Sequence, residues 1–559
     1  MGTAGRIFKQ MAITSPPNLR NAFNGLLPPN WLRVIIISLL ILGLFFRFVN
    51  LDRKVYWIDE LYTSFRVSGY TEPAIVRQVS ENKIFTADEL QKYQHLNSDK
   101  NVTDTVKGLI TEEPQLTPLY FVMARYWARL FGDSIASMRS LPAVTSVLVF
   151  PCIYWLCLEL FESSLVGWIA IALVAVSPFH LVYAQEARPY TLWILTTLIS
   201  SAVLLRARRV NTPRYWGIYA ATVALGLYSY LFFAFVAISH GIYIAVMEGF
   251  RRTQALKGYL MATMTGFIAF LPWIAIVIYY LPQIIRATPE QSKSPRQAIS
   301  EFVKTWSANI SGDFFDLGLR SATLFDSPFP LIVVTLAAMF ALLILVGYSI
   351  YFLCRQAPRQ VWLFVISLMA VNALALALPD IILGGRRSFL PRYFVPCHLG
   401  IQLAVAYLLS FKISYTPLRM RQQKVWQIIL VTVLSVGVLS DAVYSPSQVW
   451  WQKKTNGFNP ELAPVVNQAS KPLVVREMPR NFPPHNFFTI VSLSYWVEPK
   501  ARYQVVFDGT LPTISPEFSD VFIIDPSQKL LDKLLKEPTI QLYPVEPVKN
   551  LPVFKLVKI

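Results

Sequence analysis

Acidic side chains are scarce in this chain. It carries 33 Asp and Glu against 51 Lys and Arg, and no acid occurs before Asp52. Charged residues of both signs make up 15% of its 559 residues, where soluble domains carry about 25%. Cysteine is nearly absent as well. Cys152, Cys157, Cys354 and Cys397 form no CxxC pair, which argues against a disulfide framework or a zinc site. Also missing are GxxxxGK[ST], a GxGxxG after a strand, and HExxH. The chain therefore shows no nucleotide-binding loop and no metalloprotease helix. It has no internal repeat and no low-complexity stretch.

What the chain has in excess is apolar surface. It is 54% hydrophobic and 14% aromatic, with a mean hydropathy of +0.43. The formal charge of +18 sits in short clusters between apolar runs. That is the topology signal of a polytopic membrane protein in a lipid bilayer, and no nucleic-acid-binding stripe is present. Runs long enough to cross a bilayer as helices fall near 31–49, 138–160, 165–183, 188–206, 214–229, 231–249, 257–281, 329–354, 360–379, 392–411 and 424–441. The first lacks a small-residue cleavage site after it and reads as a retained anchor. "PLYFVMARYWARLF" at 118–131 is too short to span, and its Arg125 and Arg129, one turn apart, suggest an interfacial helix.

Charge sets the orientation. Arg6, Lys9, Arg20 and Arg33 precede or enter the first run without an opposing acid, which predicts a cytoplasmic N-terminus. With eleven spans, the clusters at 206–214, 251–257, 355–359 and 412–424 all fall on that same side. The loop 50–137, the loop 282–328 and the tail then lie outside. The expected fold is thus an all-α polytopic membrane domain over 1–444, with about eleven transmembrane helices plus interfacial ones. A small extracytoplasmic α/β domain follows over 445–559. In it "PLVV", "YQVVFD", "DVFIID" and "PVFKLV" read as strands, and "SQKLLDKLLKE" as a helix. The location implied is the plasma (inner) membrane.

Charges at membrane depth are costly and tend to mark sites. Three clusters reach the outer face. Asp59 and Glu60 follow the first span, Glu186 and Arg188 lie in "VYAQEARPYTLW", and Arg386, Arg387 and Arg392 lie in "GGRRSFLPRYF". Each has a structural reading: a helix cap, an ion pair at a helix start, and lipid-phosphate anchors. His180 reads as a packed histidine. Together, however, a carboxylate and several arginines on one face suit a reaction on a lipid phosphate. Guanidinium groups grip phosphate oxygens in pairs, and a carboxylate can take a proton from a hydroxyl or amine.

"WIDE" at 57–60, "EPQLTPLYF" at 113–121, "FGDSIASMRSLPAV" at 131–144, "SPFHLVYAQEARPYTLW" at 177–193 and "PRYFVP" at 391–396 occur in an order that resembles one family. This is the GT-C fold of polyprenyl-phosphate-dependent membrane glycosyltransferases, the glycosyltransferase family 39 superfamily of protein O-mannosyltransferases and the lipid A aminoarabinose transferase. The resemblance covers most of 31–411. It implies transfer of a sugar from a polyprenyl-phosphate donor to an extracytoplasmic lipid, glycan or protein acceptor, by inverting displacement. It implies Asp59 as catalytic base with Glu60 beside it, and a polar active-site residue near Arg188. Arg188, Arg386, Arg387, Arg392 and Tyr393 are then expected at the donor phosphate. "LTPLYF" departs from the more usual HPPLYY, with Leu116 and Thr117 replacing the histidine and first proline. Glu112, Glu113 and Glu186 are candidate acceptor or metal carboxylates. A divalent cation in oxygen ligation is one use for them that no spacing demands. A transporter or flippase of lipid-linked sugars is the alternative function, though no repeated half or broken midplane helix is evident. A catalytically idle scaffold is a third.

Overall fold

The computed structural model describes residues 28–79, 84–287, 294–319, 327–414, 420–479, 485–545, 548 and 551–558. Arg6, Lys9, Arg20 and Arg419 of the charge reading lie outside the described residues, as do parts of both large loops.

Each of the eleven apolar runs is helical. Among the described residues, eight helices are long and apolar enough to cross a membrane: Asn30–Phe48, Ile135–Phe161, Tyr190–Val210, Gln254–Tyr279, Phe329–Gln356, Arg359–Leu383, Val395–Ser414 and Met420–Tyr444. The other three runs differ from plain spans. Ser164–Ala175 and Pro178–Ala184 are bent by 60° at their junction and are long and apolar enough only together, and Pro213–Ser229 and Phe233–Met247 have only 17 and 15 residues. Burial sorts the spans. The apolar windows of Tyr190–Val210 and Val395–Ser414 are 89% and 78% buried, against 17% for Phe329–Gln356. The first two form the centre, and the last faces lipid.

The bend has a definite cause. Pro178 has no N–H to offer Val174 O, and the Phe179 N–H donates to Gly312 O (3.2 Å) instead of Ala175 O. In lipid such carbonyls need internal partners. Arg47, wholly buried at the end of the first span, donates to Val174 O (2.9 Å) and Ala175 O (2.8 Å). The flanking spans come close because they carry glycine there. A Cβ on Gly43 would lie 2.6 Å from Ala175 O, and one on Gly437 2.4 Å from Val176 O. The break aims the turn at 185–189 toward the first loop.

Helix Pro118–Phe131 exists and does not qualify as a span. Arg125 departs from the interfacial reading. It is buried and donates to Thr105 Oγ1 (3.3 Å) and the carbonyls of Val67 and Lys100, tying the first loop together. Arg129 is exposed.

The expected strands and helix of the tail are present, in a six-stranded sheet. Its strands are β1 (Ile84–Phe85), β2 (Pro472–Met478), β3 (Arg502–Phe507), β4 (Asp520–Ile524), β5 (Ile540–Pro544) and β6 (Val553–Lys558), in the order β1-β3-β2-β4-β6-β5. The centre, β3-β2-β4, is parallel, and the outer pairs are antiparallel. The sheet is not made by the tail alone. β1 belongs to the first loop, with Ile84 opposite Gln504 and Phe85 opposite Tyr503. Helix His485–Ser494 packs on the helix after the first span through Tyr62–Phe488 and Phe65–Phe488 ring contacts at 4.7 and 5.3 Å.

Loop 50–137 and the tail must therefore share one side of the membrane. In a background without the four native cysteines, Ser98→Cys and Ser515→Cys should react alike with an impermeant thiol reagent in intact cells. Reaction of one and protection of the other would contradict the β1–β3 pairing.

Candidate functional site

Helix Ile58–Ser68 starts with Asp59 and Glu60 in its first turn, where the helix dipole favours negative charge. Trp57, at the N-cap, has no capping side chain. The Ile58 N–H is taken by Asn456 Oδ1 of the tail (2.9 Å). Successive residues on a helix point about 100° apart, so the two carboxylates part company. Glu60 turns inward and is wholly buried, while the Asp59 side chain keeps 25% of its surface exposed.

Three segments converge on Glu60. Arg139, near the start of the second span, donates from Nε to Oε1 and from Nη2 to Oε2, each at 2.7 Å. The same guanidinium holds the carbonyls of Leu51, Lys54 and Val55 at 2.7–3.0 Å. Lys453, just past the last span, donates to Oε2 (2.7 Å), and the Ala187 N–H donates to Oε1 (3.0 Å). Burial alone would raise the Glu60 pKa, but Arg139 and Lys453 together bring it down to about 2. Lys453 is itself lowered to about 8, because burial and the like charge of Arg139 outweigh Glu60. Lys54, which donates to Gln185 Oε1 and Ser445 O (3.2 Å each), is pushed down to about 6 by burial and by Lys453 and Arg139.

Asp59 faces the arginines. Arg392 Nη1 lies 3.5 Å from Asp59 Oδ2. The Arg392 guanidinium is 5.6 to 6.0 Å from the ring centroids of Trp57, Tyr190 and Tyr393, the range of cation–π contact. Arg188 Nη1 donates to Asp59 O and Thr63 Oγ1, both at 3.2 Å. Burial works against the Arg188 charge, yet Tyr190, Asp59 and Glu113 more than offset it and raise its pKa. The Nε atoms of both arginines are buried without a hydrogen-bond acceptor, and so are the Tyr120 hydroxyl and Trp57 Nε1. Glu186 is wholly buried, and neither of its carboxylate oxygens has a hydrogen-bond partner.

Other expected site residues are placed elsewhere. Arg386 donates to Gln297 Oε1 (3.1 Å), and Arg387 to Asp380 Oδ1 (3.0 Å). Among the arginines expected from 386–392, Arg392 is the one that reaches Asp59. Glu112 and Glu113 are committed to Arg66, which also pairs with Glu72 at 3.0 Å. Among the described residues no cluster of three or more His, Cys, Asp or Glu side chains could hold a metal ion. His180 is packed, with Nε2 at 2.9 Å from Gln402 Oε1. Arg139, Lys453 and Asn456 were missed. The available signal for Lys453 was "QKKTN", a lysine pair directly after a span on the side where basic residues should be few.

Residues 113–276 match the sequence family described as "Dolichyl-phosphate-mannose-protein mannosyltransferase". The motifs at 113–121, 131–144 and 177–193 fall inside that stretch, with Arg139, Glu186 and Arg188, while Asp59 and Arg392 fall outside it. Among solved structures, ArnT from Cupriavidus metallidurans bound to undecaprenyl phosphate is similar at 13% identity and a TM-score of 0.48, over 94% of this chain and 98% of that one. The oligosaccharyltransferase of Archaeoglobus fulgidus, tethered with an acceptor peptide, is similar at 13% identity and 0.45, over 87% and 61%. The arabinofuranosyltransferase AftD from Mycobacteria is similar at 12% identity and 0.44, over 94% and 41%. No curated protein sequence matches the chain.

Removing one partner from a buried ion network leaves an uncompensated charge, at a cost of about 3–5 kcal/mol. Glu60→Gln should therefore melt well below wild type, and Lys453→Met in that background should recover part of the loss. The pH dependence follows in sign. The Glu60 pKa is depressed on folding, so its stabilisation is full above the unfolded value of about 4.3 and is lost as pH falls toward about 2. Melting curves of wild type and Glu60→Gln should converge over that interval.

Proposed function

We propose that the chain is an integral membrane glycosyltransferase of the plasma (inner) membrane. It moves one sugar from a polyprenyl-phosphate donor onto an extracytoplasmic acceptor. The observation that carries this reading is the juxtaposition at one rim of the bundle: a partly exposed Asp59 carboxylate 3.5 Å from Arg392, with Arg188 bonded to the backbone carbonyl of the same residue. A carboxylate beside two guanidinium groups with unused N–H donors suits a reaction that consumes a proton acceptor and releases a phosphate. The family similarity over 113–276 points to the same class.

In this mechanism the acceptor hydroxyl or amine attacks the anomeric carbon, Asp59 takes its proton, and the bond from that carbon to the phosphate oxygen breaks. Inversion follows from a single displacement. The departing polyprenyl phosphate gains negative charge as Asp59 loses it. Arg392 can follow that shift because it already faces the Asp59 carboxylate and keeps an unpartnered Nε. Glu60 is not an acid–base group in this scheme, because Arg139 and Lys453 hold it ionised. It fixes the helix start from which Asp59 projects. The flippase reading accounts for the arginines but gives Asp59 no proton to take.

Asp59→Asn keeps the shape and loses the base. General-base contributions run at about 10²–10⁴-fold, so turnover should fall by that factor with the melting temperature unchanged. Comparative mass spectrometry of lipids and glycans from cells with and without the gene supplies the product to be assayed. A loss below tenfold would refute the base assignment. Charge-assisted contacts to phosphate contribute about 1.5–3 kcal/mol each. Arg188→Ala and Arg392→Ala should each weaken binding of polyprenyl phosphate by about 10- to 150-fold, and Arg392→Lys should recover only part of the loss. Tight binding by both alanine variants would sink the donor-site assignment.

A further inference from the structure

A buried carboxyl group without a partner is costly, and more than 90% of buried polar groups in folded proteins are paired. At this site Glu186 is a buried carboxyl group with neither oxygen paired. Its neighbour Ala187 is engaged with Glu60 and its second neighbour Arg188 with Asp59 and Thr63, yet both of its own oxygens are idle. The ionisable groups facing it come from every side. Asp59 and Glu60 belong to the first-loop helix, and Tyr120 to helix Pro118–Phe131. Tyr190 starts the fourth span, Arg392 precedes the tenth, and Tyr444 and Lys453 end the last span and start the tail. The positive charges among them are already in use. Lys453 is bonded to Glu60 and Arg392 faces Asp59.

We propose that Glu186 is a third donor-binding residue, which meets the lipid phosphate as a neutral carboxylic acid and donates its O–H to a phosphate oxygen held by Arg188 and Arg392. This rests on the donor-site reading above. An ionised carboxylate in that place would repel the phosphate, whereas the acid adds a donor to the idle Nε atoms of Arg188 and Arg392 and the Tyr120 hydroxyl. The environment favours the acid. Burial raises the Glu186 pKa to about 7, with Glu60 and Asp59 reinforcing the rise against Lys453 and Arg392. The ligand class is a phosphate ester on a lipid. The partnerless carboxyl facing Arg392, two residues before Arg188 in the same turn, is the feature that recognises it.

The test is the affinity of purified protein for polyprenyl phosphate between pH 6.5 and 8.5, for wild type, Glu186→Gln and Glu186→Met. Wild-type affinity should fall several-fold more steeply with rising pH than that of Glu186→Gln, whose amide donates at every pH and should bind within about threefold of wild type at pH 6.5. Lys453 and the phosphate itself titrate in both proteins, so the difference between the curves isolates Glu186. Glu186→Met loses the donor and should bind at least tenfold more weakly. It should also melt no lower than wild type, because it removes an unpaired buried carboxyl group. Parallel pH curves for wild type and Glu186→Gln, or tight binding by Glu186→Met, overturn the proposal while leaving the arginine assignment intact. A wild-type protein that binds no polyprenyl phosphate overturns both.

Discussion

The buried carboxylate of Glu60 is the constraint on which the outer end of the molecule depends. Taking a carboxylate out of water costs several kcal/mol unless charge and hydrogen bonds replace the solvent. Here Arg139 comes from the second span, Lys453 from beyond the last, and the Ala187 N–H from the turn between the third and fourth. None of these partners is near Glu60 in sequence. The bundle must close before Glu60 can be satisfied, and once it is satisfied the first turn of helix Ile58–Ser68 is fixed. Asp59, one residue earlier and about 100° away, is then directed outward with no freedom to exchange places with Glu60.

The turn that meets Glu60 depends in its place on the broken third span. A straight helix from 164 to 184 would leave no unpaired carbonyls, and Arg47 would keep only Ser146 Oγ and Gly43 O of its four acceptors. Pro178 makes the break, Arg47 caps it, and Gly43 and Gly437 let two neighbouring spans close around it. The deviation from regular helix is thus distributed over three spans that meet at one level. The polar bonds there also reach the second loop, through Phe179 N–H to Gly312 O and Ser177 Oγ to Asp313 O (2.7 Å). The loops of the outer face are consequently not separate from the bundle. They are held by the same irregular backbone that orients Glu186 and Arg188.

Much of this was legible in the sequence, for identifiable reasons. Apolar runs are local signals, and all eleven became helices. Asp59, Arg188 and Arg392 were legible because an ion at a span end is conspicuous against an apolar background. Arg386 and Arg387 were equally conspicuous and went elsewhere, because composition gives the side of the membrane but not the direction of a side chain in a loop with Gly384 and Gly385 at positive φ. Arg139 was inside a quoted motif, and its partners lie 79 residues away at Glu60 and beyond. Lys453 is 393 residues from Glu60. Such pairings carry no periodicity. The two-residue strand β1 was invisible for a related reason: it is too short to alternate, and it exists only because β3 offers it an edge.

The balance of charge at the site ties these parts to the proposed chemistry. Arg139, Arg188, Arg392 and Lys453 face the carboxyl groups of Asp59 and Glu60. Lys54, lowered to about 6, is mostly neutral at pH 7. With Glu186 as the acid, the site carries two surplus positive charges when empty. A donor phosphodiester brings one negative charge. In the proposed transfer the charge leaves Asp59 and arrives on the phosphate, so the total is unchanged while its position moves across Arg392. Stabilisation by fixed dipoles and charges is greatest when they need not reorganise as charge develops. Arg139 and Lys453 are locked on Glu60 and cannot collapse onto Asp59 or the phosphate. In the proposed chemistry the buried network therefore does more than hold a helix start, because it leaves Arg188 and Arg392 as the guanidinium groups that meet the moving charge.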